Sequence, residues 1–285
     1  PCAVNIDPIE KKPLYHFYPG TNAFSLATAG CNCNCKFCQN WDISQSRPEQ
    51  TKNIDLPPKS VVDVCVERRV PTIAYTYSEP VIFYEYMYDI ACAAREHGLR
   101  VVCHTNGTML DAPMQQLLEQ LDAITVDLKA FTQAFYHRVC TLELQPVLAT
   151  LQRIANSGVH LEIVNLVIPT LNDDLEDVRS MCTWIAENLG VEVPVHFTRF
   201  FPAHKMQHLP PTPIDTLEAA VAIGDEAGLH YVYLGNAPGH ERNSTFCPEC
   251  GERIVHRLHF VVTKLDVGDG KCRFCGHPVA GIWEN

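Results

Sequence analysis

Fourteen cysteines are spread unevenly through the 285 residues of this chain. Four of them, Cys31, Cys33, Cys35 and Cys38, fall within the stretch "GCNCNCKFCQNW". Four more form two C-x2-C pairs near the carboxyl end, Cys247 with Cys250 in "FCPECGE" and Cys272 with Cys275 in "KCRFCGHP". Soft thiolates select zinc, copper(I) or iron–sulfur clusters, so the residue type narrows the metal without choosing it. Disulfides would be the alternative in an oxidising compartment, but no charged-then-apolar leader is seen and the chain reads as cytoplasmic. Cys65, Cys92, Cys103, Cys140 and Cys182 stand alone and are expected to be small buried hydrophobes.

In the first cluster Cys31, Cys35 and Cys38 are spaced C-x3-C-x2-C, with Phe37 before the last cysteine, directly after an apolar run. This spacing resembles the signature of the radical S-adenosylmethionine (SAM) superfamily. Three thiolates on a 4Fe-4S cluster leave one iron without a protein ligand, as a catalytic zinc keeps one position open. The resemblance implies that the amino and carboxylate groups of SAM chelate that iron. One electron then splits the sulfur–carbon bond to give a 5'-deoxyadenosyl radical. Cys33 departs from the usual pattern. As a fourth ligand it would close the site; the open reading makes it a bystander in the loop.

The carboxyl-terminal pairs are separated by 21 residues, and each is followed by a glycine, Gly251 or Gly276, that lets backbone N–H groups approach sulfur. Zinc is the expected metal of this ribbon-like module, with a closed auxiliary 4Fe-4S cluster as the alternative. Between its knuckles lies an expected hairpin, "RIVHRLHFVVTKLDVGDGK".

Short apolar runs alternate with segments of helical period, the pattern of strand–helix units around a parallel sheet. Strands are expected at 23–29, 71–77, 99–105, 123–129, 160–168, 193–200 and 230–235, and helices at 80–97, 113–120, 145–157, 175–189 and 213–227. "RPEQTKNIDLPPK" reads as a surface connection. The fold class is α/β, and six or seven parallel strands allow a partial barrel or an open doubly wound sheet. The resemblance implies the partial (β/α)6 radical SAM barrel, over 23–240, preceded by an extension at 1–22 and followed by the zinc-ribbon-like module at 241–285. In either architecture the chemistry belongs at the carboxyl ends of the strands, where the cysteine loop begins.

Other strand ends supply further candidates. "YTYSEP" carries Ser78 and Glu79 ahead of Pro80, where the resemblance places a Gly-Gly-Glu motif that holds the SAM amino group. A glutamate buried there needs a cation; a helix-capping surface glutamate is the alternative. "HTNG" resembles the Thr-Asn-Gly segment of pyruvate formate-lyase activating enzymes, which would turn Thr105 and Asn106 to the methionine end or ribose of SAM. His104 stands where those enzymes usually carry an acid. In "DLK", Asp127 and Lys129 share one face of a strand, either as a structural ion pair or with Lys129 receiving a ligand carboxylate. Asn165 and His196 are further candidates for the ribose and adenine edge, with Arg199 facing away from His196.

Blocks including "DPIEKKPLYHFYPG", "FSLATAGCNCNCKFCQNWDIS", "LVIPTLND", "HFTRFFPAHKM" and "LGNAPGHERNSTFCPECG" extend the resemblance nearly end to end. The chain is similar to the radical SAM enzyme of the AmmeMemoRadiSam system, a relative of pyruvate formate-lyase activating enzymes. An electron donor such as flavodoxin or ferredoxin follows as a partner, and the substrate is an unassigned small molecule or protein. A glycyl-radical activase is the rival enzyme reading, and a metal-binding adaptor without catalysis the rival of another class. A net charge of -11 with scattered Lys and Arg opposes nucleic-acid binding, and no run is long and apolar enough to span a membrane.

Overall fold

A computed structural model describes residues 1–283. Its centre is an eight-stranded sheet in strict chain order: β1 (Ala3–Pro8), β2 (Asn22–Ala27), β3 (Thr72–Tyr75), β4 (Arg100–Thr105), β5 (Ala123–Asp127), β6 (His160–Val167), β7 (Val195–Arg199) and β8 (Val232–Gly235). Strands β2 to β8 are parallel; β1 runs antiparallel to β2. The helices are α1 (Trp41–Ser44), α2 (Pro58–Arg68), α3 (Tyr84–Glu96), α4 (Asp111–Leu118), α5 (Gln133–Phe135), α6 (Leu144–Ala155), α7 (Leu175–Asn188) and α8 (Ile214–Glu226). A doubly wound sheet would reverse its strand order midway, and this one never does. Crossovers of one hand in an unreversed order put the helices on one face. The other face is the inside of a partial barrel whose edges, β1 and β8, do not pair.

The helix side follows the sequence pattern. In α6, Leu144, Val147, Leu148, Leu151 and Ile154 recur at the spacing of one helical face and are buried. Asp174 caps α7 by accepting hydrogen bonds from the amides of Glu176 and Asp177. All seven expected strands are present, with bounds that differ by no more than two residues. Strand β1 and helices α1, α2 and α5 were not expected. Strand β1 is a half-exposed edge ending in a proline, and α2 begins at Pro58, inside the segment read as a connection.

Half of the inner face is filled by the chain's own amino-terminal segment, residues 9–18. Ile9, Leu14 and Phe17 pack there against Ala23, Ala74, Val102 and Ala123, whose small side chains leave room for them. Polar ties fix the segment in depth: Thr125 Oγ1 donates to the Lys12 carbonyl (2.8 Å) and the His16 amide donates to Glu162 Oε1 (2.8 Å). Burial opposes the charge on Glu162, but contacts with His160 (3.0 Å) and His196 (2.6 Å) outweigh it and hold the carboxyl well below its usual range.

The carboxyl-terminal module comprises β9 (Thr245–Phe246), β10 (Arg253–Leu258), β11 (Val261–Leu265), β12 (Val267–Gly268) and β13 (Lys271–Cys272), and contains the expected hairpin. It shares a core with the barrel, in which Ile254, Val255, Val267 and Trp283 pack with Tyr15, Tyr231 and Tyr233. Arg257 crosses this seam. Its guanidinium donates to the Tyr15 carbonyl (2.6 Å) and Thr245 Oγ1 (2.8 Å), lies over the Tyr15 ring, and stands 3.8 Å from the buried carboxylate of Glu10. Arg257→Leu strands Glu10 without a cation and is expected to cost about 3–5 kcal/mol in a urea titration. A loss under about 1 kcal/mol, the level of an exposed pair, would show that the seam contributes little.

Candidate cofactor site

The unfilled half of the inner face is a cavity of about 460 Å³ at the carboxyl ends of the strands. Cys31, Cys33, Cys35 and Cys38 all line it. Their loop is shaped by main-chain hydrogen bonds rather than by regular structure. Amides of Asn34 and Lys36 donate to the carbonyls of Cys140 and Val139, the Lys205 amide to the Lys36 carbonyl, and Gln45 Nε2 to the Cys33 carbonyl. The two carbonyls of Val139 and Cys140 belong to a single π-helical turn, Tyr136–Cys140. Such turns recur at functional sites because they redirect main-chain groups. Gly30 opens the loop at φ +105°, where a Cβ would also meet Ile82 Cδ1 at 2.9 Å.

Cys33 is not remote from the other thiols. Its sulfur is 3.4 Å from those of Cys31 and Cys35, and Asn106 Nδ2 donates to it at 3.6 Å. Cys38 Sγ lies 3.2 Å from Ser44 Oγ. Cys140, expected to be an inert hydrophobe, touches Cys35. Among the described residues, the only His/Cys/Asp/Glu group whose ligand atoms all lie within 4.8 Å of one another is the carboxyl-terminal tetrad. The loop cysteines do not meet that criterion, and as soft thiolate donors they suit an iron–sulfur cluster.

Glu79 faces the same cavity and is 2% exposed. Its oxygens accept from Thr105 Oγ1 (2.6 Å), the Asn106 amide (2.8 Å) and the Val81 amide (3.2 Å), all uncharged donors. Burial pushes its carboxyl up to about 7. Thr105 and Asn106 thus act toward Glu79. Asn106 Nδ2 also donates to Asn32 Oδ1 (2.6 Å), tying this strand end to the cysteine loop. Ser78 lines the cavity, with its hydroxyl donating to the Thr28 carbonyl (2.7 Å).

Asp127 and Lys129 share a face as expected. Lys129 Nζ is 2.8 Å from Asp127 Oδ2, and His104 Nε2 is 2.8 Å from Oδ1. Burial opposes ionisation of Asp127, yet these two partners hold its carboxyl well below the usual carboxylate range. Phe37 forms a wall beneath the Lys129 ammonium, 5.8 Å from ring centre to Nζ.

Two expected contacts are corrected. Asn165 points to the helix side, where its Nδ2 donates to the Leu128 carbonyl (2.7 Å) and approaches the Met181 sulfur; its neighbours Val164 and Leu166 line the cavity instead. His196 faces inward but below the cavity, holding Glu162 and packed against Tyr15 and Tyr233. Arg199 does face away from it, donating to the Thr212 carbonyl. Residues missed from sequence are Asp7, Lys11, Lys12 and Tyr77, which line the cavity floor and wall, and Phe260 from the module's hairpin.

In the module, Cys247 and Cys275 have sulfurs 3.6 Å apart, and Cys250 and Cys272 3.8 Å apart. Tetrahedral bonds of about 2.3 Å place sulfurs about 3.8 Å from one another, so the tetrad fits one four-coordinate ion.

Fold and site together define a partial α/β barrel with four thiols gathered around a cavity at its strand ends. The sequence pattern described as "Radical SAM superfamily" matches residues 25–182, just over half of the chain, and the chain belongs to that superfamily. It is 43% identical over 280 residues to the uncharacterized protein MJ0808 of Methanocaldococcus jannaschii, covering 98% of this chain and 83% of that one. It is 22% identical over 166 residues to the pyruvate formate-lyase-activating enzyme of Clostridium pasteurianum, covering 57% and 69% of the two chains. Among solved structures, SuiB of Streptococcus suis bound to S-adenosylmethionine superposes with a TM-score of 0.61 over 80% of this chain and 53% of that one, at 11% identity. A domain of a pyruvate-formate lyase-activating enzyme from Bacteroides vulgatus gives 0.50 over 57% and 98%, at 16% identity. No helix of the described residues is long and apolar enough to cross a membrane.

Proposed function

We infer that the chain holds a 4Fe-4S cluster through Cys31, Cys35 and Cys38, binds SAM beside it, and abstracts a hydrogen atom from a substrate. The observation that carries this is Glu79, a carboxylate almost removed from water that has no ion-pair partner among the described residues. The amino group of an amino acid, donating to it, would complete it. When bound, the reduced cluster supplies the electron that opens a sulfur–carbon bond of SAM to a 5'-deoxyadenosyl radical. The chain's own groups position and shelter. Glu79 receives the amino group, Lys129 offers its remaining donors to a carboxylate or hydroxyl, and Phe37, Val164 and Leu166 give an apolar face for the adenine. Cys33, engaged by the Asn106 amide, is left out of the ligand set.

The finer reading is that this is the radical SAM enzyme of the AmmeMemoRadiSam system, supported by the long sequence blocks quoted above. Flavodoxin or ferredoxin is the proposed reductant. Lys36, Arg138 and Lys205 are exposed around the cysteine loop and its π turn and enter no ion pair among the described residues, which suits an acidic partner. Zinc is the proposed ion of the carboxyl-terminal tetrad.

Anaerobic reconstitution is expected to give a brown protein that forms 5'-deoxyadenosine from SAM and dithionite. Serine at Cys31, Cys35 or Cys38 should abolish turnover while Cys33→Ser retains the cluster spectrum; turnover undiminished in the first three variants refutes the assignment. Calorimetry should find SAM binding strengthening as pH rises through about 7, because the ionised Glu79 carboxylate, the stronger acceptor for the amino group, forms only above that value. Glu79→Gln should weaken binding by at least about tenfold and remove that pH step, and an unaltered pH profile would argue against the role. Metal analysis should return one zinc per chain, lost in the Cys250→Ser/Cys275→Ser variant together with thermal stability but without loss of the brown colour. Iron in place of zinc would favour the auxiliary cluster.

A further inference from the structure

The cavity floor carries charge that the cofactor reading does not use. Where residues 9–18 cross the inner face, the Lys12 carbonyl accepts from Thr125 Oγ1, two residues before Asp127 on the same face of β5. Lys12 therefore lies beneath the Asp127–Lys129 pair. Its side chain is only 3% exposed, with Nζ 3.2 Å from Asp7 Oδ2 and 4.9 Å from the centre of the Tyr77 ring. The ammonium of Lys11 takes the other oxygen of Asp7 (2.8 Å), and the Tyr77 hydroxyl donates to Oδ2 as well (2.6 Å).

Two ammoniums thus share one carboxylate, and both oxygens of that carboxylate are already engaged. An ammonium has three donors, and Lys12 spends one on Asp7. A lysine is seldom buried without full pairing, and burial pulls the Lys12 ammonium below its ordinary range despite Asp7. Tyr77, whose hydroxyl completes the group, has φ +68°, a conformation that is strained for a bulky residue and persists where its surroundings impose it. Asn40, two residues after Cys38, donates to the Tyr77 carbonyl (2.8 Å) and so joins the floor to the cysteine loop. Phe260 closes an apolar wall nearby.

We propose that the Lys11–Lys12 floor binds a compact anionic group, a carboxylate or a phosphate, on the small molecule that donates the hydrogen atom. This rests on the radical SAM reading and gives it a substrate class.

The test is calorimetric titration of the full chain, cluster-loaded and SAM-saturated, with inorganic phosphate, succinate and, as the neutral control, succinamide. Phosphate or succinate is expected to bind at one site per chain, the stronger of the two identifying the group, and succinamide not to bind. Lys12→Met should weaken the anion by at least about tenfold, and Lys12→Arg should restore much of it. Lys11→Met, at a half-exposed position that folding tolerates, should weaken it less. Absence of binding by both anions, or undiminished binding in Lys12→Met, overturns the proposal; should Lys12→Met not fold, undiminished binding in Lys11→Met does so. SAM saturation is measured first. A wild-type chain that binds no SAM refutes the underlying reading, whereas SAM binding without anion binding refutes only the anion site.

Discussion

A carboxylate withdrawn from water and met only by neutral donors is an unfinished interaction, and Glu79 is one. Leaving a charge in that position is expensive unless a cation arrives, so the protein has gathered the ends of two strands around it. Val81 follows β3, while Thr105 ends β4 and Asn106 follows it; the same Asn106 side chain reaches the loop that carries the thiols. The donors around Glu79 and the placement of the cysteine loop thus belong to one hydrogen-bond network.

The cavity exists because the sheet is wound in one direction. The crossover helices are spent on the outer face, leaving a concave inner face that the chain must fill itself. It fills only the lower half, with residues 9–18 over the small side chains of Ala23, Ala74 and Ala123. Above that level the lining becomes polar and chemically active. The carboxyl-terminal module braces this plug from the side, through Arg257 and the tyrosines of β8, and sends Phe260 to the cavity wall. Its four thiols have a role in shape even though they stand apart from the cysteine loop.

Much of this was legible in the sequence because parallel strands announce themselves as short apolar runs and because thiolate spacing is strict. That Asp127 and Lys129 share a face followed from strand alternation alone; whether they pair with each other or Lys129 awaits a ligand carboxylate was left open. Asn165 was misread for a reason that is equally physical: β6 is buried on both faces, so its apolar pattern does not say which side is the inside, and Val164 and Leu166 hold that place. His196 was assigned to the correct face but at the wrong depth, because depth is set by the plug. No local pattern marks residues 9–18 as an inner-face filler, since many of their partners are remote, 113 positions away for Lys12 and Thr125 and 242 for Tyr15 and Arg257, and with them Lys11, Lys12 and the floor went unseen. Strand β1 was missed as an exposed edge with little apolar signal.

The central claim is that three thiolates leave one iron of the cluster to the amino acid end of SAM, with Glu79 accepting a hydrogen bond from its amino group. Electron–nuclear double resonance on the reduced protein, with SAM labelled at the amino nitrogen and carboxylate oxygens, tests this directly. Hyperfine coupling from both labels is the predicted result. A fully reduced cluster that couples to neither label, with Cys33 as its fourth ligand, would contradict it.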